Sequence, residues 1–516
     1  MQRIVGKNVL ESLTTGMYSD SRIIFREYIQ NSTDAIDNAI KNKLLGKDEG
    51  TIEIKINIKK REISIRDNGI GIPAAEVYNK LGDIGKSEKD FKEQRGFRGI
   101  GRLGGLGYCD ELTFVTSYAG ENKKTITVWD CKQLRDLLLP NVEKDLDVIE
   151  LVNRVTEDST ELEDTDKHYF EVILTGIRKE NENLLDVNDI KNYLSQVAPV
   201  PYNCQLFADL KKINEKLISL NKSPEEYKIV LNNETIYKPY RRAVLAGNKK
   251  EKDFIQDIEF FEGYKDNELI FLGWYGITNL TGQIKEEDIN GLRLRKHNIQ
   301  IGDNHTLDSF FGNNPSYQRL NRWYVGEIFV FDDELIPNAR RDNFEQNPAY
   351  KFFREKVEKT TRDILCKLPY QSSQERSDNK IIQNTEKELS TIKKEIEEGV
   401  TANSKLRLFD KLEKQEKDIK RVITRIEKSE DSKSSQKTTG RLVQKLKEDV
   451  LKEIEELKNK VETTRNYKLN KLPTSYSKEV RNVLKIVFEV IDIHLPEGQA
   501  QELQDRIIED LKKQGK

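Results

Sequence analysis

Arg26-Glu27-Tyr28-Ile29-Gln30-Asn31-Ser32-Thr33-Asp34-Ala35 is the stretch from which the rest of the chain is read. It sets Glu27 and Asn31 four residues apart and Asp34 three beyond. On a helix those spacings bring three polar side chains onto one face. A helix is the expected state, because Ser19, Asp20 and Ser21 offer N-caps and Ile23, Ile29, Ala35, Ile36 and Ala39 supply an apolar stripe. A carboxylate able to polarise water and a carboxamide able to hold Mg²⁺ then leave the same helix together. Read alone, the pairing is more simply a solvated polar face.

Two later segments shift that balance. Ile52 to Ile58 alternates strictly and reads as a strand. A second strand, Ile63-Ser64-Ile65, runs into Asp67-Asn68-Gly69-Ile70-Gly71. Asp-Asn-Gly serves well as a turn. The same residues let Asp67 accept from an exocyclic amine while Gly69 and Gly71 admit a flat base close to the backbone. Then comes Gly96-Phe97-Arg98-Gly99-Ile100-Gly101-Arg102-Leu103-Gly104-Gly105-Leu106-Gly107, with six glycines in twelve residues. That density argues against a packed helix or strand and for a loop that wraps phosphates with its N–H groups.

The order E-x-x-x-N-x-x-D-A, D-x-G-x-G and a glycine-rich lid resembles the GHKL ATPases, which include gyrase, MutL, sensor histidine kinases and the ninety-kilodalton heat-shock chaperones; the chaperone branch is nearest in the first motif. The resemblance implies a Bergerat-type α/β sandwich with ATP and Mg²⁺ as cofactors. Carried over, Glu27 activates the attacking water, Asn31 ligates Mg²⁺, and Asp67 reads the adenine amino group, with Asp34, Gly69 and Gly71 beside them. Lys86, in Ile84-Gly85-Lys86-Ser87, and the lid residues Gly99, Gly101, Arg102, Leu103, Gly104, Gly105, Leu106 and Gly107 hold the phosphates. The lid departs from the family's G-x-x-G-x-G spacing. The Gly-Thr that supports the adenine aspartate has no match before the strand Tyr169 to Leu174, so His168 or a water takes that place. No P-loop string occurs.

Further along, Asn290 to Ile301 alternates like a strand, and Arg322 to Val330 like another, leading to Leu335-Ile336-Pro337-Asn338-Ala339-Arg340-Arg341-Asp342. That ending resembles the chaperone middle domain, in which an arginine reaches the ATP γ-phosphate. Position matching favours Arg341, with Arg340 next to it, and a cationic fork suits charge building on a transferred phosphoryl group. Beyond about 370 the chain turns Lys/Glu-rich. Leu389, Ile392 and Ile396, then Leu412, Ile419, Ile423 and Ile426, then Val443 to Val461 recur at helical spacing, broken at Gly399 and by a polar linker from Ser429 to Gly440. Val480 to Leu495 carries Val483, Leu484, Val487, Phe488 and Ile491, suited to a dimer contact or to capping the preceding helices.

The expected class is therefore α+β, in three parts: residues 1–182, an ATP-binding domain; 183–368, a transducer-like α/β domain; 369–516, a charged helical, coiled-coil region. The 87 basic and 89 acidic residues leave a net charge of −2, which gives no global pull toward nucleic acid or membrane. Cys109, Cys131, Cys204 and Cys366 lack metal spacing and read as reduced thiols of a cytoplasmic protein. No run long and apolar enough to span a membrane is present. Glu27 argues against a histidine kinase, and nothing after the second part reads as a topoisomerase cleavage domain. The expectation is an ATP-hydrolysing homodimeric clamp that acts on a protein client or partner effector in a bacterial stress or phage-defence setting. The alternatives are a nucleic-acid clamp like MutL or the MORC ATPases, and a nucleotide-switched sensor.

Overall fold

A computed structural model describes residues 6–7, 9–10, 20–82, 101–143, 146–223, 225–247, 250–398, 400, 402–429, 443–463 and 476–514. The chain divides into two compact units, Met1–Tyr370 and Gln371–Lys516.

The first unit is built on two sheets. The larger has the order β5-β4-β3-β6-β2-β1-β7-β8. Its strands are β1 (Thr51–Asn57), β2 (Glu62–Asp67), β3 (Glu111–Ser117), β4 (Lys123–Asp130), β5 (Thr156–Leu162), β6 (Tyr169–Thr175), β7 (Lys228–Leu231) and β8 (Glu234–Thr235). All neighbours are antiparallel except β1 and β7. The sheet is thus completed by strands from well beyond residue 182. Alternation sets its core: Ile52, Ile54 and Ile56 of β1 and Ile63 and Ile65 of β2 point inward. Helix α1 (Ile23–Lys41) covers that face, burying Ile24, Phe25, Ile29, Ile36 and Ala39. Its N-cap is Arg22, with no side-chain cap; Asp20 accepts from the Arg22 N–H, and Ser19 lies outside the described residues.

The second sheet has the order β11-β12-β15-β13-β14, from β9 (Ala243–Ala246) and β10 (Glu251–Phe254), which pair separately, through β11 (Asp257–Lys265), β12 (Glu268–Ile277), β13 (Gly291–Lys296), β14 (Ile299–Ile301) and β15 (Val325–Val330). Residues 290–301 are a hairpin and not one strand. His297 and Asn298 take φ of 50° and 58°, the left-handed pair that a tight two-residue turn needs. The sheet is covered on both faces. One face packs Leu292, Leu294 and Ile328 against Phe353 and Val357 of helix α4 (Pro348–Thr360). The other packs Trp274, Val325 and Phe329 against Tyr202, Phe207 and helix α3 (Leu210–Ser219). Helix α2 (Val187–Val197) lies between α1 and these elements in the chain and is joined to α1 by the Arg22–Asp189 ion pair at 2.9 Å.

The second unit is helical. Helices α5 (Leu368–Glu398), α6 (Ala402–Ser429) and α7 (Lys452–Thr463) flank Gly399 and most of the polar linker, which lie outside the described residues. Leu389, Ile392, Leu412, Ile419, Ile423, Val443, Ile454 and Val461 share one core, as their helical spacing predicts. The apolar stripe of α8 (Lys478–His494) divides. Leu484, Phe488 and Ile491 pack on Ile507, Ile508 and Leu511 of α9 (Glu497–Gln514), whereas Val483, Ile486, Val490 and Ile493 are half or more exposed, at 59%, 62%, 50% and 55%. Among the described residues no helix is long and apolar enough to cross a membrane.

Candidate functional site

Helix α1 buries more than an apolar stripe: Arg26, Glu27, Gln30, Ser32, Thr33 and Asp34 are buried with it. Charged residues are seldom buried unless paired, so a polar face sunk into the fold marks a site. Glu27 is paired. Its Oε1 accepts from Arg341 Nε at 2.9 Å, and both side chains are under a tenth exposed. Its other oxygen lies over Gly101, where an added Cβ would come within 2.4 Å of Oε2. A carboxylate, a guanidinium and a glycine backbone from three distant segments therefore meet at one point. Arg340 beside them is exposed; its carbonyl accepts from Arg26 Nη2 at 3.2 Å.

The glycine-rich stretch corrects its sequence reading. Gly101–Gly107 is a 3₁₀ helix, with Leu103, Gly104, Gly105, Leu106 and Gly107 buried. Its small residues let it press onto α1, where the Tyr28 hydroxyl accepts from Gly105 N–H at 3.0 Å and donates to the Arg102 carbonyl at 3.1 Å. A Cβ at Gly105 would sit 2.5 Å from that hydroxyl. Close packing, and not ligand alone, orders this segment. Leu103 and Leu106 point into the core, so these two residues could offer a phosphate only their backbone groups. Arg102 Nε lies 3.4 Å from the Leu81 carbonyl. Lys86 and Gly99 lie outside the described residues.

At the end of β2, Asp67 takes the inward position that alternation gives to Ile63 and Ile65 before it, and is 2% exposed. Burial pushes its pKa up to about 7, against the hydrogen bonds that Gly69, Ser32 and Phe170 give it. Gly69 N–H donates to Asp67 Oδ1 at 2.8 Å. Two contacts force glycine here. A Cβ at Gly69 would meet the Ala35 Cβ at 2.5 Å, and one at Gly71, whose φ is 74°, would meet the Ser117 carbonyl oxygen at 1.9 Å. His168 Nδ1 lies 2.9 Å from the Gly69 carbonyl oxygen, so the histidine does reach this turn. Thr116 also reaches it: its hydroxyl accepts from Ile72 N–H at 2.9 Å and donates to the Tyr169 carbonyl at 3.1 Å.

Asn31 stands half-buried and Asp34 buried on α1, on the side that carries Glu27. Among the described residues no three His, Cys, Asp or Glu side chains are placed to cage a metal. A carboxamide with a neighbouring carboxylate still offers the hard oxygen donors that Mg²⁺ takes when phosphates supply the rest. A buried carboxylate floored by obligate glycines likewise fits a flat base bearing an amino donor. Sequence reasoning missed Tyr28, Ser32, Arg26 and Thr116. Tyr28, Ser32 and Arg26 lie inside or beside the first motif, where their helical position could have signalled them.

This assembly of helix, sheet and glycine-rich segment is that of a GHKL-type ATPase domain: residues 18–161 match the family described as "Histidine kinase-, DNA gyrase B-, and HSP90-like ATPase". Within that class the chain is close to the HtpG branch. It is 26% identical over 275 residues to the chaperone protein HtpG of Francisella tularensis subsp. tularensis, a match covering 50% of this chain and 38% of that protein. It is 27% identical over 242 residues to HtpG of Clostridium botulinum, covering 43% and 38%. With HtpG of Hydrogenovibrio crunogenus the identity is 29% over 174 residues, covering 30% and 28%. The chain thus spans less than two-fifths of the length of each of these relatives.

Proposed function

We propose that this chain is a Mg²⁺-dependent, ATP-binding and ATP-hydrolysing conformational clamp of chaperone-like type, cytoplasmic and acting on other proteins. The observation that carries the reading is the buried meeting of Glu27 and Arg341, 314 residues apart in sequence, over the backbone of Gly101. In this reading Asp67 and its glycine turn hold adenine, and the backbone of residues 101–107 lies toward the phosphates. Glu27 takes a proton from the attacking water, and Arg341 turns toward the charge that grows on the transferred phosphoryl group. Asn31 would hold Mg²⁺, which supplies charge neutralisation at the phosphates when bound.

The test is steady-state turnover of the full chain with ATP, with and without Mg²⁺, and with unfolded protein or double-stranded DNA added. Mg²⁺-dependent hydrolysis stimulated by unfolded protein is expected. Glu27→Ala should still bind ATP while losing about 10²–10⁴-fold in turnover. Equal rates in the wild type and Glu27→Ala would sink the assignment. Stimulation by DNA alone would replace the chaperone-like reading with a nucleic-acid clamp.

A further inference from the structure

Away from Glu27, the first unit buries a second charged cluster that this chemistry does not use. Glu327 lies at the middle of β15, opposite Trp274 of β12 and Arg293 of β13. Its side chain is fully buried, and both oxygens are taken. Oε1 accepts from Arg295 Nε and, at 3.1 Å, from the Tyr240 hydroxyl; Oε2 accepts from Lys238 Nζ at 2.8 Å and from the Tyr202 hydroxyl. Lys238 Nζ also donates to Asn298 Oδ1 at 2.8 Å, and Arg295 to the carbonyls of Gln196 at 2.8 Å and Asn298 at 3.0 Å.

The donors come from different places in the fold. Arg295 is on β13. Tyr202 follows α2, and Lys238 and Tyr240 follow β8, which is the edge of the first sheet. The two crossing stretches are themselves joined, Lys238 N–H donating to the Pro201 carbonyl at 2.9 Å. Burial works against the Glu327 charge, but Arg295 and Lys238 outweigh it and leave its pKa lowered to about 2. Burial and Arg295 pull Lys238 down to about 8. Arg295 and Lys238 share this anion, and Glu226 acts on Lys238 as a second one, so loss of the Glu327 carboxylate would leave Arg295 without its ion pair and Lys238 with Glu226 alone. Apolar side chains would hold such a core at least as firmly; what a satisfied charged cluster can add is a single permitted arrangement.

That arrangement bears on the site from both sides. Gln196 lies in the last turn of α2, which Arg22 ties to α1 through Asp189. β15 leads directly into the segment that carries Arg341. We propose that Glu327 is a positioning residue: by binding β13 and β15 to the stretches that follow α2 and β8, it fixes one sheet against the other and so sets Arg341 at Glu27. The consequence for turnover rests on the ATPase reading above; the joint itself does not.

The experiment uses the full chain in a Cys204→Ser background, with spin labels at Lys55→Cys on β1 and Glu259→Cys on β11, both exposed positions. Pulsed electron–electron resonance then reads the distance between the sheets. A single narrow distribution is expected without further change, and a broader one in Glu327→Gln. Should Glu327→Gln fail to fold, Tyr240→Phe, which removes one of the four donors, should broaden it to a lesser degree. In the same variants kcat should fall about tenfold or more with KM changed by less than about twofold, and Arg341→Ala should cost less than it does in the parent chain. An unchanged distribution in the folded variants overturns the joint, and a broadened one with unchanged kcat overturns its link to Arg341. Should the parent chain hydrolyse no ATP, the distance distribution still decides the joint, and it is the ATPase reading that falls.

Discussion

Arg341 Nε lies 2.9 Å from Glu27 Oε1, reached from a backbone whose φ is 56°. A non-glycine residue in the left-handed region costs about 1–2 kcal/mol. Such strain persists only where the surroundings over-determine it. Here they do: Gly302 N–H donates to the Arg341 carbonyl at 2.8 Å, and Arg341 N–H to Asn338 at 3.1 Å, while Arg26 holds the Arg340 carbonyl. The loop is held so that one of two adjacent arginines points inward.

It follows that Arg341→Ala and Arg340→Ala should differ sharply. Arg341→Ala is expected to keep nucleotide binding and lose about 10³-fold in turnover, on the scale of arginine fingers. It also leaves the Glu27 carboxylate buried without its cation, so the melting temperature should fall. Arg340→Ala keeps the carbonyl that Arg26 uses and should be nearly silent. Single-turnover rates of the two variants decide the matter: damage from Arg340→Ala alone would show that the wrong arginine has been assigned, and silence from both would leave this segment a scaffold.

Gly101→Ala probes the same point from the opposite side. The added methyl would press to 2.4 Å from Glu27 Oε2, a distance at which something must shift. The carboxylate is the movable partner, so turnover should fall by about tenfold or more while adenosine, which touches neither group, binds as before. Unchanged turnover in Gly101→Ala would mean that the approach of the glycine-rich segment to Glu27 has no catalytic weight.

How much of this could be read in advance follows from the range of the interactions. The α1 spacing and the β1 and β2 alternation are local, and the helix and both strands lie where those patterns put them. Asp67 could be singled out because it breaks an inward apolar series at its last position. The order of the 101–107 segment could not, since glycine content reports chain entropy and not the Tyr28 hydroxyl that presses on it. The hairpin at His297 and Asn298 carries no glycine to announce it. Glu327 reads as one acid in an apolar strand; its partners lie 32 to 125 residues away, beyond any periodic signal.

If Asp67 reads adenine as proposed, nucleotide recognition should depend on pH. Its pKa rises from 3.8 to about 7 on folding, chiefly through burial. Between those values the unfolded chain ionises first, so raising pH lowers the stability of the free protein. The penalty reaches roughly 4 kcal/mol once the folded carboxylate is fully charged. An amino donor set against Asp67 favours the charged form. Adenosine, which has no titrating phosphate, should therefore bind about tenfold more tightly at pH 8 than at pH 6, with the rise centred near 7. Calorimetry across that range checks it, with His168→Asn as a control for the ring at the Gly69 carbonyl. Flat affinity in the parent chain would remove Asp67 as the adenine-reading group, and Asp67→Asn should abolish binding.

The exposed face of α8 bears on assembly. Val483, Ile486, Val490 and Ile493 lie along one side of the helix, while Leu484 and Phe488 on the other side are already satisfied by α9. A row of four aliphatic residues left in water on a folded helix is costly and is commonly covered by a partner. A second copy of the chain would present the same row and meet it symmetrically. We expect the full chain to be a dimer without nucleotide, held at this face, with ATP acting at the first unit. Val483→Asp, Ile486→Asp and Val490→Asp together put charges on the exposed side and leave the Leu484–Phe488 packing intact, so the helices should still form. Light scattering should then report a monomer, as it should after deletion of residues 470–516. A triple variant that remains dimeric would move the contact elsewhere, and a full chain that is monomeric at every concentration would remove the clamp and leave the nucleotide-switched sensor as the better account of the same site.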